Sequence, residues 1–318
     1  MIDNIQRIIV TSRPVSAVIS KSKTMSFPGF EGLPIYDVAS FFLRQTQQIG
    51  LNERAAAIAF NFLMAIPPMG IFLFTLLAHV PGSQKLYEEA LILARQFSMN
   101  DETYVIVKSV MDDFFKPDSK LISLGFVFAL YFASNAMITI MRTFNKSMLH
   151  IEVEKRNFLA LRWWAIKLTL LIVLLIIATT LVLVTQGALL GLIRDNFFLG
   201  DRSLEWIIQL LRFGISFFLI FFAIALIYKY APSIQKRWKY RSPGALLATI
   251  LVITFTYLFS YWVNNFATYN KVYGAMGSIL ILMLLVFVNS LVLLIGFELN
   301  VSITALKSIA NKRKAEET

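Results

Sequence analysis

Residues 168–184 read Leu-Thr-Leu-Leu-Ile-Val-Leu-Leu-Ile-Ile-Ala-Thr-Thr-Leu-Val-Leu-Val, with threonine the only polar residue type. The run is too long and too free of charge for a strand of a soluble sheet. It also lacks the apolar-polar alternation of a transmembrane barrel strand. It is therefore a helix of the kind that crosses hydrocarbon about 30 Å thick, which takes about 20 apolar residues. Working outward, the same pattern recurs to give six spans, at about 55–80, 121–141, 163–186, 207–230, 243–263 and 276–298. Composition agrees: 57% of the 318 residues are hydrophobic and 15% charged, with a mean hydropathy of +0.67. Soluble domains average about 45–50% apolar and about 25% charged, so an ordinary soluble enzyme is excluded. The expected fold is an all-α integral membrane protein with six transmembrane helices. It divides into an N-terminal segment 1–37, a membrane domain 38–303 and a tail 304–318.

The formal charge of +11 could signal nucleic acid, but its distribution follows the spans. Short loops on the cytoplasmic side of a membrane protein collect Lys and Arg. Alternate segments here hold 21 basic residues against 8, with Arg212 inside a span. Both termini are then expected on the cytoplasmic side, no nucleic-acid partner is needed, and the lipid bilayer is the first partner. The N-terminus does not read as a cleavable signal, because Arg7, Arg13 and Lys21 interrupt its short apolar groups. After a turn-rich linker with Phe27, Pro28, Gly29, Gly32 and Pro34, the spacing of Val38, Phe41, Phe42 and Ile49 predicts a short amphipathic helix on the inner surface. Two further amphipathic helices are expected between spans one and two. One carries Leu86, Ala90, Leu91, Ala94 and Phe97, the other Ile106, Val107, Val110, Met111, Phe114 and Phe115. With seven acidic residues in the loop, they would form an acidic outer cap that packs on the bundle or headgroups, covers a substrate path, or binds an envelope protein partner. The tail from Asn311 to Thr318 is expected to be disordered.

Polar residues that interrupt the spans are the candidates for function. Pro67 and Pro68 remove two donors and leave the carbonyls of Leu63 and Met64 without their helical partners, which predicts a kink or break. Asn61 stands about two turns before it. With Asn289 and Ser290 in span six these residues form a candidate central polar site, although interhelical hydrogen bonding would account for them equally. Glu53, Arg54, Arg142, Asn145, Glu298 and Asn300 all fall at the inner ends of spans. A carboxylate there needs a cation, and Arg54 and Arg142 are the available forks. The cluster reads as an inner gate, a static staple or headgroup contact. The outer connection from Asn265 through Tyr269, Asn270, Lys271, Tyr273 and Gly274 is rich in amides and aromatics, consistent with a site or with an interfacial belt and tight turn.

No catalytic constellation is visible. The chain has no cysteine, which excludes disulfides, thiolate metal sites and cysteine nucleophiles. Its two histidines, His79 and His150, fall in segments expected on opposite sides of the membrane, so they cannot share a metal. There is no G-x-x-x-x-G-K-[ST], H-E-x-x-H or G-x-S-x-G motif. No cofactor is expected, and active transport would have to draw on an ion gradient or a partner ATPase.

Three blocks of sequence resemble the YihY and BrkB family of bacterial inner-membrane proteins. They are Glu53-Arg54-Ala55 opening a proline-containing span, Ala133-Ser134-Asn135-Ala136-Met137 running into Arg142-Thr143-Phe144-Asn145, and the C-terminal third. In the last, Pro243-Gly244-Ala245 opens span five, Asn265 to Gly274 forms the turn, and Gly296-Phe297-Glu298-Leu299-Asn300 ends span six. The resemblance covers roughly residues 40–303. The double proline and Phe297 depart from the family's usual single Phe-Pro and small residue. The resemblance implies six transmembrane helices in a bacterial inner membrane and no settled activity: ribonuclease, virulence and transport labels have all been attached to the family. The leading expectation is transport or flux of an ion, small solute or envelope lipid. The alternative is a non-transporting envelope scaffold or assembly factor.

Overall fold

A computed structural model describes residues 20–48, 50–77, 101–114, 119–148, 156–175, 201–235, 237–265 and 275–316, together with positions 84, 87, 88, 91, 92, 95, 151, 153 and 154. Its named elements are all helices: α1 (Ile35–Gln48), α2 (Leu51–Leu77), α3 (Asp101–Phe114), α4 (Ser119–Ser147), α5 (Phe158–Leu175), α6 (Asp201–Tyr230), α7 (Pro243–Asn265) and α8 (Ala275–Glu316). Five stretches are each long and apolar enough to cross a membrane: Leu124–Ser147, Phe158–Leu175, Phe213–Tyr230, Pro243–Val263 and Ile279–Arg313. The bent pair Ile35–Gln47 and Leu51–Met69 brings the number to six if it is counted as one span. The all-α, multi-pass architecture is thus the one expected. Helix α3 matches the third amphipathic segment. The second, at 86–97, and the distal part of span three lie largely outside the described residues.

The prolines do not break the first span. α2 stays helical through Pro67 and Pro68 to Leu77, and the chain turns before the span at Gly50, where the axes of α1 and α2 differ by 70°. Gly50 has φ +63°, a left-handed conformation that glycine adopts without steric cost and that commonly ends helices. Proline's fixed φ is itself helical. Its cost is a lost hydrogen bond and a crowded carbonyl, which bends a membrane helix more readily than it stops it.

The packed core gathers at one end, where α1, α4 and α6 meet the starts of α2, α5 and α7; we call it the basic end. Ala55, Ile58 and Ala59 on α2, spaced as one face of a helix, are buried, and Ala55 and Ile58 join Ile140, Met141 and Phe144 of α4 in a single cluster. Phe144 stacks on Phe297 of α8 with ring centroids 3.6 Å apart, and Tyr228 of α6 meets both rings edge-on at 5.8 Å. Elsewhere the helices leave large apolar side chains exposed, among them Phe213, Phe218, Ile250, Tyr257, Leu258 and Ile279, a surface suited to lipid. α8 is the hub, packing against α1, α2, α4 and α7. It is 42 residues long, about 63 Å at 1.5 Å per residue, so it runs well past the membrane. The tail expected to be disordered is helical to Glu316. Its Ala, Lys, Arg and Glu residues are good helix formers, and Lys307 is tied to Glu31 of the N-terminal linker.

Two glycines set the crossing of α7 and α8. A Cβ on Gly244 would lie 2.0 Å from the Gly296 carbonyl oxygen, and one on Gly296 would lie 2.6 Å from Ala248 Cβ, the Gly244 oxygen and the Tyr228 hydroxyl. Backbone therefore meets backbone, the close approach that small residues allow between membrane helices. Gly296→Val is expected to lower the melting temperature in detergent, at a cost of about 1–3 kcal/mol for overpacking. Gly214→Ala, where nothing lies within 4 Å, should stabilise α6 by about 0.5–1 kcal/mol. Thermal unfolding of the purified variants checks both.

Candidate functional site

The six residues expected at the inner gate separate into different arrangements. Asn300 is a clasp between helices. Its Oδ1 accepts from the Gly244 backbone N–H at 2.8 Å and its Nδ2 donates to Ser242 Oγ at 3.0 Å, while Ser242 Oγ also accepts from the Ala245 N–H at 3.3 Å. Ser242 is the N-cap of α7 and Pro243 its first residue, an arrangement favoured because the missing proline N–H would be unbonded there anyway. Asn300 thus satisfies an otherwise free helix-terminal donor from a neighbouring helix. Asn145 makes a second clasp: Ser233 N–H donates to its Oδ1 at 3.0 Å, and its Nδ2 donates to Ser233 Oγ at 3.0 Å. Glu154 N–H donates to the Ser233 carbonyl at 2.7 Å, and Arg156 reaches the carbonyls of Ala231 and Pro232 at the end of α6. Burial, and then the neighbouring Arg237, hold the Arg156 guanidinium below its ordinary pKa.

Glu298 is different. It is fully buried, at 0% exposure. Its Oε2 accepts from Gln45 Nε2 of α1 at 3.0 Å, and the same amide donates to the Ser147 carbonyl at 3.3 Å. Arg54 Nη1 donates to Ser147 Oγ at 2.8 Å. Ser147 therefore binds Arg54 through its hydroxyl and, through its carbonyl, shares the Gln45 amide with Glu298. Among the described residues Lys307 pairs with Glu31 at this end, and no ion pair joins Arg54 to Glu298. Glu298 Oε1 is buried without a hydrogen-bond partner, a costly state for a carboxylate unless something else serves it.

Glu53 and Arg142 stand outside this arrangement, both exposed. They share its depth but not its side of the helix: Met141 and Phe144 of α4 are buried, and Arg142 is turned about 100° from Met141. Gln45 and Ser147 take their place. Gln45 follows Val38 and Phe41 at helical spacing, so a polar residue continuing the apolar stripe of α1 was the available signal. Ser147 had none beyond its nearness to Asn145. Arg162, counted with the loops by its position, donates from Nη1 to Ser134 Oγ at 2.8 Å and Asn135 Oδ1 at 2.7 Å, with its guanidinium 4.9 Å from the Tyr131 ring centroid.

At the expected central site the polar side chains donate within their own helices. Asn61 Nδ2 donates to the Ala57 carbonyl, Asn289 Nδ2 to Leu285 and Ser290 Oγ to Val286. Each side chain bonds its own helix, and Pro67 is exposed. Asn289 and Glu298 are nine residues apart, about two and a half turns, so they project from opposite sides of α8. Asn289 Oδ1 is also buried without a partner. Of the outer turn, Asn265 ends α7, while Tyr269, Asn270, Lys271, Tyr273 and Gly274 lie outside the described residues, as do His79 and His150. Among the described residues no group of three or more His, Asp or Glu side chains is placed to hold a metal.

Residues 42–318 match the family model described as "Virulence factor BrkB". The chain is 28% identical over 271 residues to the ribonuclease-like protein YfkH of Bacillus subtilis (strain 168), covering 85% of this chain and 96% of the relative. It is 27% identical to a UPF0761 membrane protein of Tolumonas auensis, covering 82% and 83% of the two, and 23% identical to one of Histophilus somni (strain 2336), covering 84% and 90%. No solved structure matches it. With a multi-pass helical fold and a family match from Phe42 to the last residue, the chain belongs to the BrkB family of membrane proteins.

Proposed function

We propose that this protein carries out transport or flux of an ion, small solute or envelope lipid across the bacterial inner membrane, without enzymatic chemistry, and that Glu298 is the working group of its inner gate. The observation that carries the reading is the buried, unpartnered Glu298 Oε1. A glutamine or a leucine would fill the site at lower cost if packing were the only demand, because a buried carboxylate loses several kcal/mol of hydration. A group kept in such a state within a membrane helix is a functional candidate by default.

Arg54, Ser147 and Gln45 refine the expected gate. Rather than an ion pair that breaks, the closed state is a relay: the Gln45 amide on α1 plugs one carboxylate oxygen, and Arg54 is held nearby by the Ser147 hydroxyl. Gly50 provides a joint between α1 and α2, so movement of α1 would withdraw Gln45 and expose Glu298 to a cation or to water. Asn145 and Asn300 are positioning residues that fix the surrounding loops. The ribonuclease-like name of the Bacillus subtilis relative is not carried over; two histidines expected on opposite sides of the membrane and no cysteine support a non-enzymatic reading. The distribution of 21 basic residues against 8 supports cytoplasmic termini and makes the basic end the inner one.

Fluorescent reporters fused to the C-terminus should be active when they require the cytoplasm and inactive when they require the periplasm; the reverse result would invert the topology. In proteoliposomes tested against a panel of monovalent and divalent ions, small solutes and labelled phospholipids, wild type should move at least one class. Glu298→Gln should reduce that flux by about 10-fold or more with little change in melting temperature. No protein-dependent movement of any class, together with capture of a defined partner by cross-linkers placed in α3, would instead make the protein a scaffold.

A further inference from the structure

Apart from the Glu298 site, the basic end carries a cleft of about 630 Å³ between the N-terminal linker, the loop before α7 and the part of α8 that leaves the membrane. Arg237, Lys239, Arg241, Lys307 and Lys312 line it, against one carboxylate, Glu31. Glu31 is already engaged by Lys307. Arg237 lies over the rings of Trp164 and Tyr230 at 5.2 and 5.1 Å. Lys239, Arg241 and Lys312 are exposed and have no anionic partner among the described residues. Three unpaired cations, two on the loop before α7 and one on α8, thus surround one concavity. Like charges gathered this way repel one another unless an anion is shared between them.

The location narrows the anion. Pro243 lines the cleft and is also the first residue of the membrane-crossing stretch Pro243–Val263, so the cleft opens at the boundary between hydrocarbon and water. Above it on α7, Leu246 and Ile250 are each 47% exposed, an apolar face that acyl chains can follow. Trp238 and Ile303 line the cleft itself. Trp238 Nε1 donates to Thr304 Oγ1 at 3.0 Å, which fixes the indole as an interfacial wall. A basic pocket between membrane helices at headgroup depth is the form that recognises phosphate-bearing lipid headgroups.

We propose that this cleft binds the phosphate of an anionic phospholipid headgroup through Lys239, Arg241 and Lys312, with the acyl chains lying along the exposed face of α7. The site is distinct from Glu298 and does not depend on what the protein transports. Its shared chemistry with any phosphate-bearing solute is the anion itself, and free phosphate is the source to be separated from lipid.

The test uses the full chain purified in a neutral detergent. Its melting temperature is followed on addition of dioleoylphosphatidylglycerol, dioleoylphosphatidylcholine or inorganic phosphate. Phosphatidylglycerol should raise it by several degrees with saturation, and phosphatidylcholine should not. The Lys239→Gln, Arg241→Gln, Lys312→Gln variant, altered only at exposed positions, should keep its melting temperature without lipid and bind phosphatidylglycerol about 10-fold or more weakly. A control with Arg44→Gln, Arg142→Gln and Lys146→Gln, also exposed, removes the same charge elsewhere and should respond like wild type. Equal loss in the control would overturn the site in favour of net charge, and equal response in the cleft variant or equal stabilisation by phosphatidylcholine would also overturn it. Stabilisation by inorganic phosphate that matches phosphatidylglycerol and is lost in the cleft variant would overturn the lipid assignment and give the cleft to a soluble phosphate compound. If the triple variant melts lower on its own, Lys312→Gln alone should still weaken phosphatidylglycerol binding measurably, and no weakening there would count against the proposal.

Discussion

Glu298 places a carboxylate inside protein on a helix that crosses a membrane, and the arrangement of the basic end follows from the need to accommodate it. A charge moved out of water must be paired, hydrogen-bonded or neutralised. The chain brings a donor to it from a helix outside the main bundle: α1 docks so that Gln45 reaches Oε2 and the carbonyl of Ser147 together. That contact joins the end of α4 to α8 and ties the turn at Gly50 to the beginning of α2, where Arg54 completes the group. A hydrogen bond to a charged acceptor is worth about 1.5–3 kcal/mol, enough to hold a surface helix in place but small enough to exchange.

The other side of α8 solves a different problem. Hydrocarbon gives apolar helices no reason to associate, so contact must come from close packing and from polar groups that lack better partners. Gly244 and Gly296 supply the first and Asn300 the second, within one turn of each other on the α7–α8 crossing. The stacked Phe144 and Phe297 rings, with Tyr228 on their edges and its hydroxyl on the Leu293 carbonyl at 2.6 Å, fill the centre. α8 therefore carries a rigid seam on one face and a buried, partly unsatisfied carboxylate on the other. A rigid seam beside a polar site is the combination a gate requires, since one element can move only against another that stays.

The spans were legible in the sequence because their signal is one-dimensional: a run such as 168–184 has one structural solution in lipid. Contacts across helices were legible only in depth. Reading the ends of spans placed Arg142 and Glu53 beside Glu298, and the structure moves both outward because depth does not fix rotation about a helix axis. The double proline drew attention to Pro67 and Pro68 through its rarity, yet the helix runs on through both. Asn61 and Asn289 stood out as polar residues in apolar runs, yet both donate from Nδ2 to carbonyls of their own helices. Gln45 was easily passed over as one of three glutamines at the end of α1, distinguished only by its place on the apolar stripe. The tail expected to be disordered is helical to Glu316 because its Ala, Lys, Arg and Glu residues are good helix formers.

The central claim is that the Glu298 pocket opens to water rather than serving as a permanent staple. The chain has no cysteine, so a single thiol reports without background. Ser302 is fully buried one turn beyond Glu298, its hydroxyl donating to the Glu298 carbonyl at 2.8 Å, and Ala165 is equally buried in the packed core. A membrane-impermeant thiol reagent applied at the basic end should label Ser302→Cys slowly, and about 10-fold faster when Gln45→Ala frees α1, while Ala165→Cys stays unlabelled in both backgrounds. Ser302→Cys remaining as inert as Ala165→Cys, with or without Gln45, would contradict the account.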